Sequence, residues 1–261
     1  MGNAGYFSHD CGDVVVTVRV LARCVARNAR AMVRLWQVRR FPMTDVRGSH
    51  SAHIAIFARA PLEGKVKTRL IAAYGAPKAT AIYRFLAERT FQIVRDACDA
   101  MNTTASIWIA DENDVSHPSC IEWSERFGFP IRAQVNGDLG ERMLNCMTSL
   151  EGGFESIAIL GTDSPTIEGG DIENALGQLN HNIHWSLAIV EDGGYVLIAS
   201  NQPSAVPFRD MTWSTPNVMA ITRQRFRDAR LRWAESGALW DIDEPADVER
   251  AIREGLLPPD L

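Results

Sequence analysis

The stretch ESIAILGTDSP, residues 155–165, decides the fold that we predict for this chain. Its apolar run, 157–160, is short and continuous and ends at turn residues, as is typical of a strand buried on both faces. Ligands of open α/β sheets bind just beyond the carboxyl ends of such strands. Asp163 lies at that point, where a carboxylate suits a hard cation bound to phosphate oxygens. The alternative is an Asp or Ser that caps the next helix, and both roles can coexist.

Strand-like and helix-like runs alternate from His53 to the end of this 261-residue chain, without repeats or a low-complexity linker. The predicted strands are 53–60, 105–110, 131–135, 157–160, 184–190 and 196–199. The predicted helices are 77–100, 119–128, one that ends near 150, 168–180, 217–228 and one that begins within 239–252. This alternation predicts a single α/β domain with a mostly parallel sheet and helices on both faces. The chain has no GxGxxG and no GxSxG, which argues against a dinucleotide oxidoreductase and an α/β-hydrolase.

The composition is that of a soluble globular protein, with 46% hydrophobic and 23% charged residues. Five scattered cysteines lack the spacing of a metal or redox motif, which predicts a reducing cytoplasm and no disulfide framework. These are Cys11, Cys24, Cys98, Cys120 and Cys146. No apolar stretch approaches the length of a membrane span.

Residues 1–50 differ from the rest in charge. They contain eight Arg, no Lys and three Asp and so carry +5, whereas the whole chain carries −5, which leaves −10 for residues 51–261. An acidic domain argues against a nucleic-acid-binding surface. The arginines suit an amphipathic helix on an anionic membrane or a partner, an organellar transit peptide, or a dispensable extension upstream of Met43. We interpret 1–52 as an Arg-rich extension outside the core fold and 53–261 as the domain.

A basic loop follows the first predicted strand, in the sequence PLEGKVKTRL at 61–70. Gly64 would let the backbone come close to a ligand, and Lys65, Lys67 and Arg69 would neutralise phosphate charge near a helix start. The loop is not a P-loop, because GxxxxGK[ST] is absent. A solvated cationic face is the alternative.

A second glycine-containing loop, QVNGDLGERM at 134–143, precedes a helix. Gly137 would allow close approach to a ligand, and Arg142 in the first helical turn would reach a phosphate or a base. A tight turn with Asp138 as the helix cap is the alternative.

Paired acids and glycines separate two apolar runs in the sequence EDGGY at 191–195. Asp192, Gly193 and Gly194 form a second candidate metal or acceptor site, in which the glycines would admit a substrate to the backbone; a simple hairpin turn is the alternative. Asp163 and Asp192 both follow predicted strands, so both can lie at one edge of the sheet. Two carboxylates there could hold a divalent cation between a diphosphate and the protein.

Two segments nearer the end of the chain are further candidates for the functional site. The sequence TWST at 212–215 offers an indole and hydroxyls for a sugar or a base, or else anchors a loop. Asp241 and Asp243 precede Pro245, and we interpret them mainly as the start of a helix.

Six segments, in this order, resemble one family of bacterial transferases. The family is labelled radical-SAM/selenodomain-associated transferase 1, also called arsenosugar-biosynthesis-type glycosyltransferases. The likeness spans about residues 53–252 and excludes the N-terminal extension. The segments are APLEGKVKTRL (60–70), QVNGDLGERM (134–143), LGTDSP (160–165), EDGGYVLI (191–198), WST (213–215) and DIDEPADV (241–248).

The resemblance implies a single-domain, GT-A-like fold of the nucleotide-diphospho-sugar transferases, with a nucleotide sugar bound through Mg²⁺ or Mn²⁺. By this likeness Asp163 would be the metal-binding acid, and Asp192 a second metal ligand or the base that deprotonates an acceptor. Nucleotide contacts would come from Gly64, Lys65, Lys67, Arg69, Gly137 and Arg142. The acceptor would lie against Gly193, Gly194, Tyr195, Trp213, Ser214 and Thr215. The chain departs from the pattern in one respect, since Thr162-Asp163-Ser164 supplies one acid and not a DxD triplet.

We therefore expect a metal-assisted glycosyltransferase that moves a sugar from a nucleoside diphosphate sugar to a small-molecule acceptor in the bacterial cytoplasm. A nucleotidyltransferase, which joins an NTP to a phosphorylated small molecule and releases pyrophosphate, is the first alternative. The segment DIDEPADV is similar to the closing motif of small nucleotidyltransferases, although their GxGxRMG-type opening loop is absent. A non-catalytic nucleotide-binding protein is the second alternative.

Overall fold

One seven-stranded sheet forms the centre of the part of the chain that the computed structural model describes, residues 51–261. The strand order is β3-β2-β1-β4-β6-β5-β7. The strands are β1 (Ala52–Ala58), β2 (Thr104–Ile109), β3 (Ile131–Ala133), β4 (Ser156–Leu160), β5 (Trp185–Val190), β6 (Tyr195–Ser200) and β7 (Trp233–Leu239). Strand β6 runs antiparallel to its neighbours β4 and β5, and the other pairings are parallel. The predicted α/β class with a mostly parallel sheet is confirmed.

Helices cover both faces of this sheet, as predicted. They are α1 (Ile71–Met101), α2 (Pro118–Phe127), α3 (Leu139–Leu150), α4 (Gly169–Gly177), α5 (Val218–Asp228) and α6 (Pro245–Arg253). Strand β4 shows why its sequence is a continuous apolar run. Ala158 and Leu160 belong to the buried cluster that includes side chains of α1, α2 and α4, whereas Ile157 and Ile159 belong to the cluster that includes side chains of α3 and α5.

The strand order reverses beside β1, and in open α/β sheets such a reversal leaves a crevice at the carboxyl ends of the strands. From β1 the chain proceeds outward through β2 to β3, and β4 then pairs with the opposite side of β1. Ligands of open α/β sheets bind where the strand order reverses in this way. The loops after β1 and β4 border this crevice, and the loops after β5 and β7 leave from the same edge because those strands share the direction of β4.

Two elements differ from the sequence predictions. Helix α1 begins at Ile71 and contains a kink with a non-helical Gly75 followed by Pro77, so the predicted helix corresponds to the part after the kink. Strand β7 was missed, because its residues WAESGAL are largely half-exposed or exposed at the edge of the sheet and lack a strand-like apolar pattern.

The Arg-rich segment lies outside the described residues, as do Cys11 and Cys24, so the interpretations placed on them stay predictions. Cys98, Cys120 and Cys146 are buried free thiols. Over residues 51–261, every helix is too short or too polar to cross a membrane.

Candidate active site at the carboxyl edge of the sheet

An ion cluster lies where the loop after β1 meets the acidic segments after β4 and β7. Lys67 Nζ is 2.6 Å from Asp163 Oδ1 and 3.3 Å from Asp243 Oδ1. Only 5% of the Lys67 side chain is exposed, compared with 48% and 49% for the two acids. Burial by itself lowers the pKa of Lys67, but the charge and hydrogen bond of Asp163 and the charges of Asp243 and Asp241 hold that pKa above its ordinary value. The ammonium is therefore charged, and the carboxylates surround it.

Asp241 has a carboxylate oxygen without a hydrogen bond. Its Oδ1 is shielded from solvent and has no hydrogen-bond partner among residues 51–261. Burial, and then the charges of Asp163, Asp192 and Asp243, raise the pKa of Asp241 to about 7, against the opposing effect of Lys67. A shielded carboxylate oxygen without a partner, close to other carboxylates, is a feature of sites that receive a cation or a proton.

The loop after β1 is shaped so that Lys67 can reach the acids. The Tyr83 hydroxyl accepts from Arg59 N at 2.6 Å and donates to Arg59 O at 3.0 Å, which fixes the first residue beyond the strand. Lys65 N then donates to Leu62 O at 3.0 Å, and Lys67 has a left-handed backbone with φ 45° and ψ 45°. That conformation is uncommon for a residue with a side chain, so the surrounding loop must stabilise it.

Hydrogen bonds join the loop after β4 to the segment after β7. Ser164 Oγ donates to Trp240 O at 2.7 Å, and Ile242 N donates to Asp163 O at 3.1 Å. Arg89 of α1 donates to Ile167 O at 2.9 Å and holds the far side of the same loop. These contacts bring Asp163 and the acids of the DIDEPADV segment together.

The acids of this last segment have a larger role than a helix start. Glu244 and Asp247 form the capping box that begins α6, as the helix-start interpretation requires. Asp241 and Asp243 are not needed for that cap, and both lie in the ion cluster. The sequence signal was two acids on either side of the apolar Ile242, directly before a capping box.

The three cations of the basic loop have different surroundings. Lys67 faces the acids, whereas Lys65 is exposed and Arg69 is 62% exposed. Arg69 Nη1 lies 3.5 Å from Asp243 Oδ2, and Arg69 Nε lies 3.7 Å from Glu244 Oε1. Gly64 is exposed with φ 76°. The loop thus presents two accessible cations beside one that is already paired.

Asp192 shares the edge with Asp163, and the glycine that follows it, Gly193, packs closely against another loop of the protein. Asp192 Oδ1 accepts from Gly194 N at 3.0 Å, and Asp192 is exposed. Gly193 has φ 89°, and a Cβ there would lie 2.2 Å from Pro216 O. The backbone of Pro216 therefore makes a close approach that requires glycine at 193. The acceptor contacts predicted for Gly193 and Gly194 stay predictions.

The loop after β3 begins helix α3. Asp138 and Glu141 form a capping box, which is the alternative considered for this loop. Arg142 is half-buried, and its Nε donates to Gly137 O at 2.9 Å. Gly137 and Arg142 thus lie together at the carboxyl edge, beyond the end of β3.

The TWST segment is partly a structural anchor. The Trp213 ring packs edge-on against Tyr195 with centroids 6.5 Å apart, and a Cβ on Gly140 would lie 2.9 Å from the indole. The Tyr195 hydroxyl and Trp213 Nε1 are shielded from solvent and have no hydrogen-bond partner within the described part of the chain. Thr215 Oγ1 donates to Thr212 O within the loop, and Ser214 is exposed.

Comparison with known proteins supports the fold class. A family model described as "Uncharacterized protein conserved in bacteria (DUF2064)" matches residues 93–215. A structure described as a candidate nucleotide-diphospho-sugar transferase, from Desulfovibrio desulfuricans G20, is 25% identical; the match covers 80% of this chain and 90% of that one, with a TM-score of 0.69. A cytidylyltransferase from Leptospira borgpetersenii serovar Hardjo-bovis is 14% identical, with 81% and 90% covered and a TM-score of 0.50. No curated protein matches the sequence.

These similarities confirm the predicted GT-A-like fold, and they are consistent with a transferase. They do not extend to the arsenosugar-associated family, so membership in it stays a prediction.

Proposed function

We propose that the protein is a glycosyltransferase that transfers a sugar from a nucleoside diphosphate sugar to a small-molecule acceptor, with Mg²⁺ or Mn²⁺ bound in the crevice between β1 and β4. The observation that carries this proposal is the convergence of Asp163, Asp241 and Asp243 on Lys67 where the strand order reverses. The similarity to the Desulfovibrio protein supports a nucleotide-sugar donor.

The acids fit a hard divalent cation. Mg²⁺ and Mn²⁺ prefer oxygen ligands, and the shielded Oδ1 of Asp241 has no partner of its own. We assign Asp163 and Asp241 as the ligands, with Asp192 at the same edge as a third acid. When bound, the cation would offset charge on the departing nucleoside diphosphate.

The chain's own residues would hold the donor and accept the proton. Lys65 and Arg69 are exposed beside the acids and suit the phosphates, with Gly64 allowing backbone approach. Gly137 and Arg142 lie further along the same edge, beyond β3, and suit the nucleoside. Lys67 supplies a positive charge near the position where the diphosphate would develop negative charge.

Transfer itself would form one bond and break one. The acceptor hydroxyl oxygen bonds to the anomeric carbon as the bond from that carbon to the diphosphate oxygen breaks, and a carboxylate takes the hydroxyl proton. Asp192 is our choice for this base, because it is exposed at the edge and its side chain accepts a hydrogen bond from Gly194 N of its own turn. Ser214 and Thr215, next to the Trp213–Tyr195 contact, would line the acceptor side.

One observation favours nucleotidyl transfer as the second candidate. The segment similar to the closing motif of small nucleotidyltransferases contributes Asp241 and Asp243 to the ion cluster. A substrate phosphate would then attack the α-phosphorus of an NTP, and pyrophosphate would leave from the same crevice.

Product analysis separates the candidates. The purified chain is incubated with single nucleotide sugars or NTPs, Mn²⁺ and a panel of small-molecule acceptors, and the released products are identified. We expect a nucleoside diphosphate from one nucleotide sugar, and its loss in the Asp163→Asn variant. Pyrophosphate from an NTP would establish the second candidate instead. Release of neither product from any donor would contradict both and leave a nucleotide-binding protein.

A further inference from the structure

The Lys67 ammonium lies against carboxylates that a bound metal ion would need. Lys67 Nζ lies 2.6 Å from Asp163 Oδ1 and 3.3 Å from Asp243 Oδ1, with the side chain almost fully buried. An ammonium in contact with carboxylates uses the same oxygen atoms that a divalent cation would need. Asp163 is the acid that we assign as a metal ligand, and one of its oxygens is already paired.

The arrangement of the other acids is consistent with Lys67 lying in the position of a bound cation. Within residues 51–261, no group of three or more His, Cys, Asp or Glu side chains is arranged to hold a metal ion. The acids of the cluster are instead grouped around the ammonium, and Asp241 Oδ1 is left without a partner. A metal ion placed among these acids would lie next to the Lys67 ammonium, and the two cations would repel each other.

The loop holds Lys67 in this position. Val66 and Leu70 on either side of it are buried, and Leu70 N donates to Lys67 O at 2.9 Å. Lys65 and Arg69, two residues away on each side, are exposed. The buried ammonium is therefore a feature of Lys67 alone among the three cations of the loop.

We infer that Lys67 occupies the cation position of the nucleotide-free site and excludes a divalent metal ion until a nucleotide phosphate draws the ammonium away from Asp163. Metal ion and nucleotide would then bind together, and the protein without nucleotide would bind Mn²⁺ weakly. This inference rests on the proposed function in one respect, namely that the crevice accepts a nucleotide with a metal ion. It adds an order of binding and a residue that enforces the order.

Mn²⁺ binding to the full chain without nucleotide, followed by electron paramagnetic resonance, tests the inference. We expect Lys67→Met to bind Mn²⁺ at least tenfold more tightly than the wild type, because the competing charge is removed while the acids remain. Lys65→Met, which removes an exposed charge two residues away, should match the wild type. Equal affinity of the wild type and Lys67→Met would overturn the inference, and so would an equal gain in Lys65→Met.

Two further variants show that a gain arises at this site and not from misfolding. Lys67→Arg keeps the positive charge and should bind Mn²⁺ as weakly as the wild type, and circular dichroism should show native helix content in all variants. The double variant Lys67→Met/Asp163→Asn should lose the tight Mn²⁺ site; if it keeps the site, the inference is wrong.

Failure of this inference can be told apart from failure of the proposed function. A wild type that releases nucleoside diphosphate yet binds Mn²⁺ as tightly as Lys67→Met contradicts the inference alone. A tenfold gain in Lys67→Met, in a chain that releases no product from any donor, supports the inference and contradicts the proposed function.

Discussion

His53 is a buried residue that should make the stability of the domain depend on pH. Its ring nitrogens lie 2.7 Å from Thr104 Oγ1 and 2.7 Å from Ser106 Oγ, and its ring lies 4.6 Å from that of Phe154. Burial, and then the charge of Arg132, lower the pKa of His53 from 6.5 to about 3. The folded state therefore holds the ring neutral at pH values where the unfolded chain binds a proton.

The sign of the pH effect follows from this difference. Because the folded pKa lies below the unfolded one, stability from neutral His53 is fully present above pH 6.5 and is lost as the pH falls toward 3. We expect the free energy of unfolding to fall by about 2 kcal/mol between pH 7.5 and 5 from this residue alone. Urea unfolding at both pH values, for the wild type and for His53→Gln, which cannot titrate, measures this change in free energy. An equally steep pH dependence in the variant would show that His53 is not the source.

At the scale of single residues, the sequence located several acids and cations but not their pairing. Asp163 and Lys67 could be placed after strands by local pattern, since a buried strand followed by turn residues is a local signal. Their contact depends on which strands are neighbours, and sequence periodicity does not give strand order. Asp241 was assigned to a helix start for the same reason, because its approach to Asp163 depends on hydrogen bonds between segments about 80 residues apart.

The turn between β5 and β6 depends on glycine for packing. Gly193 has φ 89°, its O accepts from Met219 N at 2.9 Å, and a Cβ would meet Pro216 O. We expect Gly193→Ala to destabilise the domain by about 3 kcal/mol, from the left-handed backbone and the steric overlap together. Urea unfolding gives this value directly.

Gly170 provides the matched control for that substitution. It lies in the first turn of α4, is exposed, and a Cβ added there would have no other atom within 4 Å. Gly170→Ala should be neutral or stabilise the domain by up to about 1 kcal/mol, because alanine restricts the unfolded chain. Equal stabilities of the two variants would mean that the turn does not need glycine.

At the scale of elements, strands buried on both faces were easier to predict than the edge strand β7. Strand β4 is buried on both faces and therefore has an unbroken apolar sequence. Strand β7 lies at the edge, where half-exposed positions admit Glu, Ser and Gly and remove the signal. The kink at Gly75 was missed because the helix was predicted to begin at residue 77, whereas α1 extends on both sides of the kink.

At the scale of the whole molecule, the carboxyl edge of the sheet carries a cluster of charged side chains that lies outside the apolar core. Lys67 and the acids near it come from loops after three different strands. A ligand site at a sheet edge draws on several loops in this way, whereas a helix cap uses residues that are close in sequence. The class of fold could be predicted from the alternation of elements and the six motifs. The sugar, the base and the acceptor of the proposed reaction could not be predicted, because these depend on side-chain geometry in the crevice.

A thermal-shift screen of NTPs, nucleoside diphosphates and nucleotide sugars, each with and without Mg²⁺ or Mn²⁺, tests the nucleotide site itself. A ligand that binds the folded state raises the melting temperature by mass action. We expect a metal-dependent shift with one nucleotide sugar in the wild type. We expect the Asp163→Ala variant to fold but to bind the nucleotide with metal at least about 100-fold more weakly. Mutating even the groups that hydrogen-bond to metal ligands typically lowers metal affinity or activity about 10–100-fold, and Asp163 is assigned as a ligand itself. No shift with any nucleotide, or the same metal-dependent shift in Asp163→Ala, would contradict the assignment of this edge as the active site.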